Sequence, residues 1–341
     1  MANVKNNTMS TSVFRDVLRR AYEMVKGNKF LWAFGFFASF LGLGGEFESL
    51  FRDYSNVAQT SSRILDLRTM METGVIWTIL ANVRDAFSAQ PVQAFFFIFM
   101  VVIVGLVMLW LAIVSQIALF HSANKINKKQ PVTYHEGFVV GNRFFMPVLV
   151  INIVVKVILY GLLIVIGLPL ISWLLIHNNL WGGFIFVFLL FFIYIPLTAV
   201  VSFVIKFAIA YIVIQGRPAG EAMRSAWELF KKNWLVSVEM ALVVLVMGIV
   251  YGLAIIVTLG LVSVPFFLIG VAALFFGSGT GLVVTIVLGV IAWFIVIGLL
   301  GAMFVSYQYS AWALLFLKLV EDRAPSKLMR WFSKLPLVKP L

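Results

Sequence analysis

The sequence has no cysteine, only three histidines and few charged residues, and each shortage excludes a class of protein. Without cysteine the chain can form no disulfide, thiolate nucleophile or sulfur-bound metal site. His121, His135 and His177 are scattered and match no metal-ligand spacing. Paired carboxylates and a nucleophile with a neighbouring base are also missing. We therefore expect no catalytic residue, no metal site, no cofactor and no enzyme activity.

Hydrophobic residues take the place of the missing charges. They make up 62% of the 341 residues, whereas charged residues make up only 12%, about half the share in a soluble domain. Several apolar runs exceed the roughly 20 residues that a helix needs to cross a bilayer, which predicts an all-α integral membrane protein with about six transmembrane helices. The predicted membrane segments lie near 30–45, 92–120, 144–171, 184–214, 234–275 and 282–317.

Predicted segment 234–275, like segment 144–176, is too long for a plain span and is broken by both glycine and proline. Two interpretations are open. It is either one long tilted helix or a helix followed by a re-entrant segment, since irregular backbone is tolerated in a membrane protein where it is buried in protein.

The basic residues give the orientation. Of the 26 lysines and arginines, 20 lie in the four segments 1–29, 121–143, 215–233 and 318–341, which six crossings place on one side. Loops rich in lysine and arginine stay in the cytoplasm. We therefore expect a multi-pass protein of the bacterial cytoplasmic (inner) membrane with both termini in the cytoplasm. This placement of the net charge of +12 indicates anionic lipids, not nucleic acid, as the partner.

An internal repeat divides the chain into three units. Residues 142–172 and 233–263 align without a gap, so that Asn142 matches Asn233, and a weaker echo of the same motif surrounds Asn28. Each unit is predicted to be a cytoplasmic amphipathic helix followed by two membrane helices. The predicted divisions are an amphipathic helix in 1–29, a first hairpin in 30–120 with an extracytoplasmic loop at 46–91, a second repeat in 121–214, a third in 215–317 and a basic amphipathic tail in 318–341.

The amphipathic helices carry apolar residues on one face and basic residues on the other, most clearly over 13–26 and 221–232. Such helices bind anionic lipid surfaces through buried apolar area and charge, although any helix that links membrane spans along the interface has a similar pattern. The predicted interfacial lipid contacts are Arg19, Arg20, Arg224, Trp227, Lys231, Lys232, Arg330 and Trp331.

Three ionisable residues fall inside predicted membrane segments, where such residues are costly and often functional. Lys156 has a polar residue one helical turn to either side. Lys206 and Glu239 lie at similar depths, which predicts that they pair or face a common wet cavity. Snorkelling of Lys206, or a packing salt bridge between the two residues, is the structural alternative. The candidate intramembrane polar site comprises Asn152, Lys156, Tyr160, Ser202, Lys206 and Glu239.

Glutamine and serine recur at the cytoplasmic ends of the second membrane helix of each unit, and we expect them to form hydrogen bonds between helices. These residues are Ser115, Gln116, Ser202, Ser306 and Gln308.

A basic amphipathic helix that ends in a Lys-Asn-aromatic step before a hairpin also carries a family resemblance. The motif runs from Gly216-Arg217 through Ala222–Trp227 to Lys231-Lys232-Asn233-Trp234. It resembles the bacterial family named for the membrane domain of glycerophosphoryl diester phosphodiesterases, and related uncharacterised six-helix membrane proteins, over residues 120–320. The catalytic barrel of those phosphodiesterases and its His and Glu/Asp motifs have no counterpart here. The resemblance therefore implies a membrane module without that activity.

Two functions are compatible with the sequence. The first is a non-enzymatic scaffold or membrane-organising module that binds a membrane protein or a second copy of itself on the cytoplasmic leaflet. The second is a transporter or channel for a small anionic or lipid-like substrate, with its site around Lys156 and matching Gly/Pro breaks in corresponding helices.

Overall fold

The computed structural model describes residues 13–40, 91–177 and 180–321, and the regular structure within those ranges is entirely helical. Most of the predicted extracytoplasmic loop, and the tail with Arg330 and Trp331, lie outside the described residues. The eight helices of the described ranges are α1 Val13–Gly27, α2 Phe30–Ser39, α3 Pro91–Asn127, α4 Tyr134–Arg143, α5 Phe145–His177, α6 Leu180–Gln215, α7 Ala219–Phe275 and α8 Gly279–Val320.

Within the described ranges, four helices are long and apolar enough to cross a membrane, namely α3, α7, α8 and the Leu197–Gln215 part of α6. A fifth span results if α4 and the beginning of α5, which meet at 64°, count as one bent helix. Helix α2 has 10 residues and is about 15 Å long, half the thickness of the hydrocarbon core. The prediction of a helical chain with apolar spans is confirmed, and six crossings stay a prediction.

Helix α7 decides between the two interpretations of segment 234–275, one long helix or a helix followed by a re-entrant segment. The backbone is helical from Ala219 to Phe275 except at Asn233, where φ is −127° and ψ is 29°, and Pro265 lies inside the helix without ending it. Proline is tolerated in membrane helices because neighbouring groups bond the freed backbone carbonyl. The segment is therefore one long helix that begins after a break at Asn233.

An asparagine lies at or next to the end of α1, of α4 and of the first part of α7. Asn28 separates α1 from α2, Asn142 lies two residues before the bend at Phe144, and Asn233 is the break in α7. The amides of Asn28 and Asn233 each donate to the carbonyl four residues earlier, at 2.9 and 3.2 Å. Asparagine side chains compete with the helix for backbone groups, which explains why helices end at Asn28 and Asn233. The side chain of Asn142 instead accepts from Nε1 of Trp110 on α3, at 3.3 Å.

Burial divides the long helices into two halves. Residues 112–120 of α3, 203–213 of α6 and 306–316 of α8 are buried without interruption. Because consecutive residues point to all sides of a helix, unbroken burial means that these segments are covered on every face. We call them the inner core. The opposite halves of α3 and α8 expose apolar side chains over residues 95–107 and 283–299, as does α7 beyond Val244, and we call these parts the outer halves.

The remaining helices surround the inner core in a cyclic order. Helix α4 packs on α3, α7 packs on α6, and α1 and α2 pack on α8. The inner-core helices also touch one another, because the ring of Phe120 lies 5.7 Å from that of Tyr309, and the ring of Phe203 lies 5.3 Å from that of Trp312. Helix α4 and the first part of α7 thus each contact the long helix that precedes them, and α1 contacts the last long helix, α8.

Candidate functional site

A hydrogen-bonded group of polar side chains lies in the inner core and connects three helices. Gln116 of α3 is fully buried. Its Nε2 donates to the hydroxyl of Tyr309 on α8 at 3.3 Å, and its Oε1 accepts from Nδ2 of Asn152 on α5 at 3.2 Å. Buried polar groups cost free energy unless they are paired. These bonds therefore fix the relative positions of α3, α5 and α8.

The inner core contains further buried polar atoms. Lys206 of α6 is only 4% exposed, and its ammonium lies 4.7 Å from the centroid of the Trp312 ring, within the range of a cation–π contact. Glu239 on α7 and Ser202 on α6 are half-buried, and the pairing of Lys206 with Glu239 stays a prediction. Buried side-chain atoms that find no hydrogen-bond partner within the described ranges are Ser122 Oγ, Asn124 Oδ1, Asn152 Oδ1, Tyr307 Oη, Ser310 Oγ and Trp312 Nε1.

The three polar residues of α5 lie in different environments. Asn152 is buried, Lys156 is half-buried and Tyr160 is 59% exposed. A spacing of four residues turns the helix by about 40° beyond a full turn. The line of these side chains therefore passes from the side of α5 that faces protein to the side that protein does not cover. The structure therefore brings Asn152 together with Gln116, whereas Lys156 and Tyr160 lie outside that hydrogen-bonded group.

The apolar face of α1 is covered by protein, with Val17 and Ala21 fully buried against the inner core. On its other side Arg19 and Arg20 are exposed, but each pairs with a carboxylate one turn away, at 2.8 and 2.9 Å. The sequence pattern predicted that this apolar face enters the lipid headgroup layer. A face of that kind is equally well buried against neighbouring helices, which is what α1 does.

Helix α1 is tied to the end of α8 by an ion pair between Lys318 and Asp16, at 2.7 Å. Burial raises the pKa of Asp16, but the hydrogen bonds from Lys318 and Arg20 outweigh it and hold that pKa below its usual value. The carboxylate is therefore the stable form at neutral pH, and it joins the two ends of the cyclic arrangement.

The first part of α7 repeats the pattern of α1. Its apolar side is buried beside α6, while Arg224, Trp227, Lys231 and Lys232 are exposed. Arg224 pairs with Glu228 at 3.4 Å, and the ammonium of Lys231 lies 5.9 Å from the centroid of the Trp227 ring. An exposed tryptophan beside lysine is typical of the boundary between lipid and water.

Cations also join the other inner-core helices to the short helix that follows. Lys125 of α3 bonds to the carboxylate of Glu136 on α4, and His121 lies 3.2 Å from the same oxygen. The hydrogen bonds from Lys125 and His121 hold the pKa of Glu136 below its usual value. After α6, Arg217 donates to the hydroxyl of Ser225 on α7 at 2.6 Å. Each of the three cyclic contacts is thus held by at least one polar bond.

A groove of about 390 Å³ lies between the outer halves of α7 and α8 and is lined almost entirely by apolar side chains. Its few polar groups are paired within the protein. Trp293 donates to the hydroxyl of Ser263 at 2.9 Å, and the hydroxyl of Thr285 donates to a backbone carbonyl at 2.8 Å. The groove is suited to hydrocarbon and offers no free polar group to a hydrophilic solute.

Sequence reasoning missed Tyr309 and Trp312, although both are central to the inner core. The available signal was the run Gln308-Tyr309-Ser310, which places three polar groups in succession inside an otherwise apolar segment. Across the part of the chain that the structure describes, no group of three or more His, Cys, Asp and Glu side chains lies close enough to hold a metal ion.

Comparison with known proteins matches residues 31–325 to a family described as a family of unknown function (DUF7544). The matched region begins inside α2 and ends just beyond α8, so α1 lies outside it. No curated protein and no solved structure matches the chain. The family match makes no connection to the membrane domains of glycerophosphoryl diester phosphodiesterases, and that resemblance stays a prediction.

Proposed function

The chain belongs to the DUF7544 family, a family of unknown function, and we propose that it is a non-enzymatic integral membrane scaffold of the bacterial inner membrane. In this proposal the outer halves of the helices cross the bilayer. They hold the inner core, with α1, α4 and the first part of α7 around it, as a platform on the cytoplasmic side. The observation that carries the proposal is the change from buried to exposed apolar side chains along the same helices.

This change supports a definite position for the bilayer. Residues 92–107 of α3 are exposed apart from the half-buried Ala94, and they cover about 24 Å of helix, close to the roughly 30 Å of the hydrocarbon core. An exposed apolar surface of this size requires lipid around it, because in water such surfaces would associate with one another. The apolar side chains of the inner core are covered by protein, as they must be beside headgroups and water. The cytoplasmic boundary therefore crosses α3 near Trp110 and α8 near Gly301.

Six crossings and three repeats belong to the same proposal. Helix α2 runs antiparallel to α8, since Leu31 lies beside Ser306 and Phe36 lies farther out beside Gly298. Helix α3 then begins at its outer end and runs inward to its buried half. The chain from the start of α2 to the start of α3 therefore passes from the cytoplasmic to the outer side. An even number of crossings places both termini on the same side of the membrane as the basic segments.

The scaffold interpretation has more support than transport through a site around Lys156. The inner core is buried on every face and its central side chains bond to one another, so the described helices leave no open passage there. Helix α7 continues through Pro265, whereas discontinuous helices would be expected around a transport site. The hydroxyls of the outer groove are paired internally.

The exposed sides of α1 and α7 are the surfaces that we assign to partners. Their basic residues favour the anionic lipids of the cytoplasmic leaflet, and their aromatic side chains, among them Tyr22 and Trp227, suit a membrane protein or a second copy of the chain. Nucleic acid is not proposed, because Arg19, Arg20 and Arg224 are already paired with carboxylates one turn away.

Photo-crosslinking in cells tests the scaffold proposal. We place p-benzoylphenylalanine at Tyr22 or Trp227, both exposed beside the inner core, and at the exposed Phe99 of the outer half as the control. We expect a protein adduct of defined size from the first two positions and only lipid adducts from the third. An adduct of twice the chain's mass would identify a second copy as the partner. If neither Tyr22 nor Trp227 gave a protein adduct, the scaffold proposal would be contradicted.

A further inference from the structure

The position of Lys156 on α5 follows from the burial of the residues before and after it. One turn earlier, Asn152 bonds to Gln116 in the inner core. Val155 is 4% exposed and is the last buried residue of α5 among those whose side chains are described. Lys156 follows directly and is half-buried, and the next two residues are exposed. Its side chain therefore begins at the level where the protein-facing side of the helix ceases to be fully buried.

Among the described residues, no protein group neutralises the Lys156 ammonium. Within residues 13–40, 91–177 and 180–321, neither an ion pair nor a hydrogen bond of the Lys156 ammonium is formed. The carboxylates of Asp16 and Glu136 bond to other cations. A half-buried charge without a partner is unfavourable at an apolar surface, so Lys156 requires an anion from its surroundings.

The surroundings of Lys156 on α5 are apolar and exposed. Ile153, Val154, Val157 and Ile158 are each about half exposed, on either side of the lysine along the helix. A cation at the edge of an exposed apolar strip matches an amphipathic molecule that has an anionic head and a hydrocarbon body. A small soluble anion would use the charge but leave the apolar strip without a partner.

We propose that Lys156 binds the phosphodiester of a phospholipid in the cytoplasmic leaflet, whose acyl chains lie along the exposed strip of α5. The proposal rests on the bilayer position given under the proposed function, which places Lys156 near the cytoplasmic headgroups. Charge complementarity selects the phosphodiester. Lys156 has no carboxylate partner among the described residues, whereas Arg19, Arg20 and Arg224 each pair with one.

Thermal unfolding of the purified full chain in detergent tests this site with three additions. Dioleoylphosphatidylglycerol supplies both chains and phosphate, dioleoylglycerol supplies the chains alone, and inorganic phosphate supplies the anion alone. We expect only the phospholipid to raise the unfolding midpoint of the wild type. Lys156→Met, which keeps an unbranched side chain, should weaken the apparent affinity by about tenfold or more, the effect of one charged hydrogen bond. Lys156→Arg should retain it.

The control is Lys128→Met, because Lys128 is exposed in the connection after α3 and should respond like the wild type. Each variant is compared with its own lipid-free midpoint, so a change in basal stability does not enter the result. An equal response of Lys156→Met, or an equal effect of dioleoylglycerol or of phosphate, would overturn the lipid site. These outcomes leave the scaffold proposal standing, since it is tested separately by crosslinking. A chain that stayed monomeric in water without detergent would refute both.

Discussion

Gly35→Ala is expected to lower the free energy of unfolding by about 3 kcal/mol, the upper part of the range for overpacking. A methyl group at Gly35 of α2 would overlap the backbone carbonyl oxygen of Ala302 and the hydroxyl of Ser306 on α8. The backbone oxygen cannot turn aside as a side chain can, so α2 has to move away from α8. That movement breaks the bond from the Ser306 hydroxyl to the carbonyl of Leu31, which is 2.7 Å long.

The matched control is Gly301→Ala. Gly301 is also helical, but nothing lies within 4 Å of a methyl group there, so alanine should raise stability by up to ~1 kcal/mol through its helix propensity. Thermal unfolding in the same detergent, followed by tryptophan fluorescence, compares the two variants. Equal midpoints for Gly35→Ala and Gly301→Ala would show that α2 does not pack closely on α8. That result would contradict the cyclic order of helices, in which α1 and α2 pack on α8.

Gln116→Leu is the second substitution with a large expected effect. Leucine is similar in size but bonds neither to the Tyr309 hydroxyl nor to the Asn152 amide, and both are buried. Leaving a buried polar group unpaired costs about 1–3 kcal/mol. Asn152 keeps a second bond to the carbonyl of Val148, so the expected loss lies near 3 kcal/mol for the two partners together.

Gln93→Leu makes the same chemical change on the same helix at an exposed position and should alter stability by less than about 0.5 kcal/mol. The unfolding midpoints of Gln116→Leu and Gln93→Leu measure the difference between the buried and the exposed position. A double variant with Tyr309→Phe measures the coupling, because the second substitution should cost less once Gln116 is gone. If Gln116→Leu were as stable as Gln93→Leu, the inner core would not depend on its polar centre.

The sequence was sufficient to predict features that depend on local pattern. The long apolar runs predicted the helices, and the alignment of Asn142 with Asn233 marked the positions where the short helices end. Both signals depend on residues near one another in the chain. The interpretation of Gln116 and Ser306 as interhelical hydrogen-bonding residues was also correct, because a polar side chain in an apolar run has few other partners.

Features that depend on which helices meet were not predictable. The partners Gln116 and Tyr309 are separated by 193 positions, and no local pattern relates them. The apolar face of α1 has the same spacing whether it faces lipid or protein, so the sequence could not show that Val17 is buried. Nor could it distinguish Gly35 from Gly301, since only the contact with a neighbouring backbone makes the first glycine necessary.

The bilayer position is the central claim, and single-cysteine accessibility tests it most directly because the chain has no cysteine of its own. Cysteine is introduced singly at Gln130 after α3, at Gly105 in the exposed half of α3 and at Thr280 at the start of α8. A membrane-impermeant maleimide is then applied to spheroplasts and to inside-out vesicles. We expect Thr280→Cys to react only in spheroplasts, Gln130→Cys only in inside-out vesicles, and Gly105→Cys in neither. Labelling of Gln130→Cys and Thr280→Cys from the same side, or of Gly105→Cys from either side, would contradict the account.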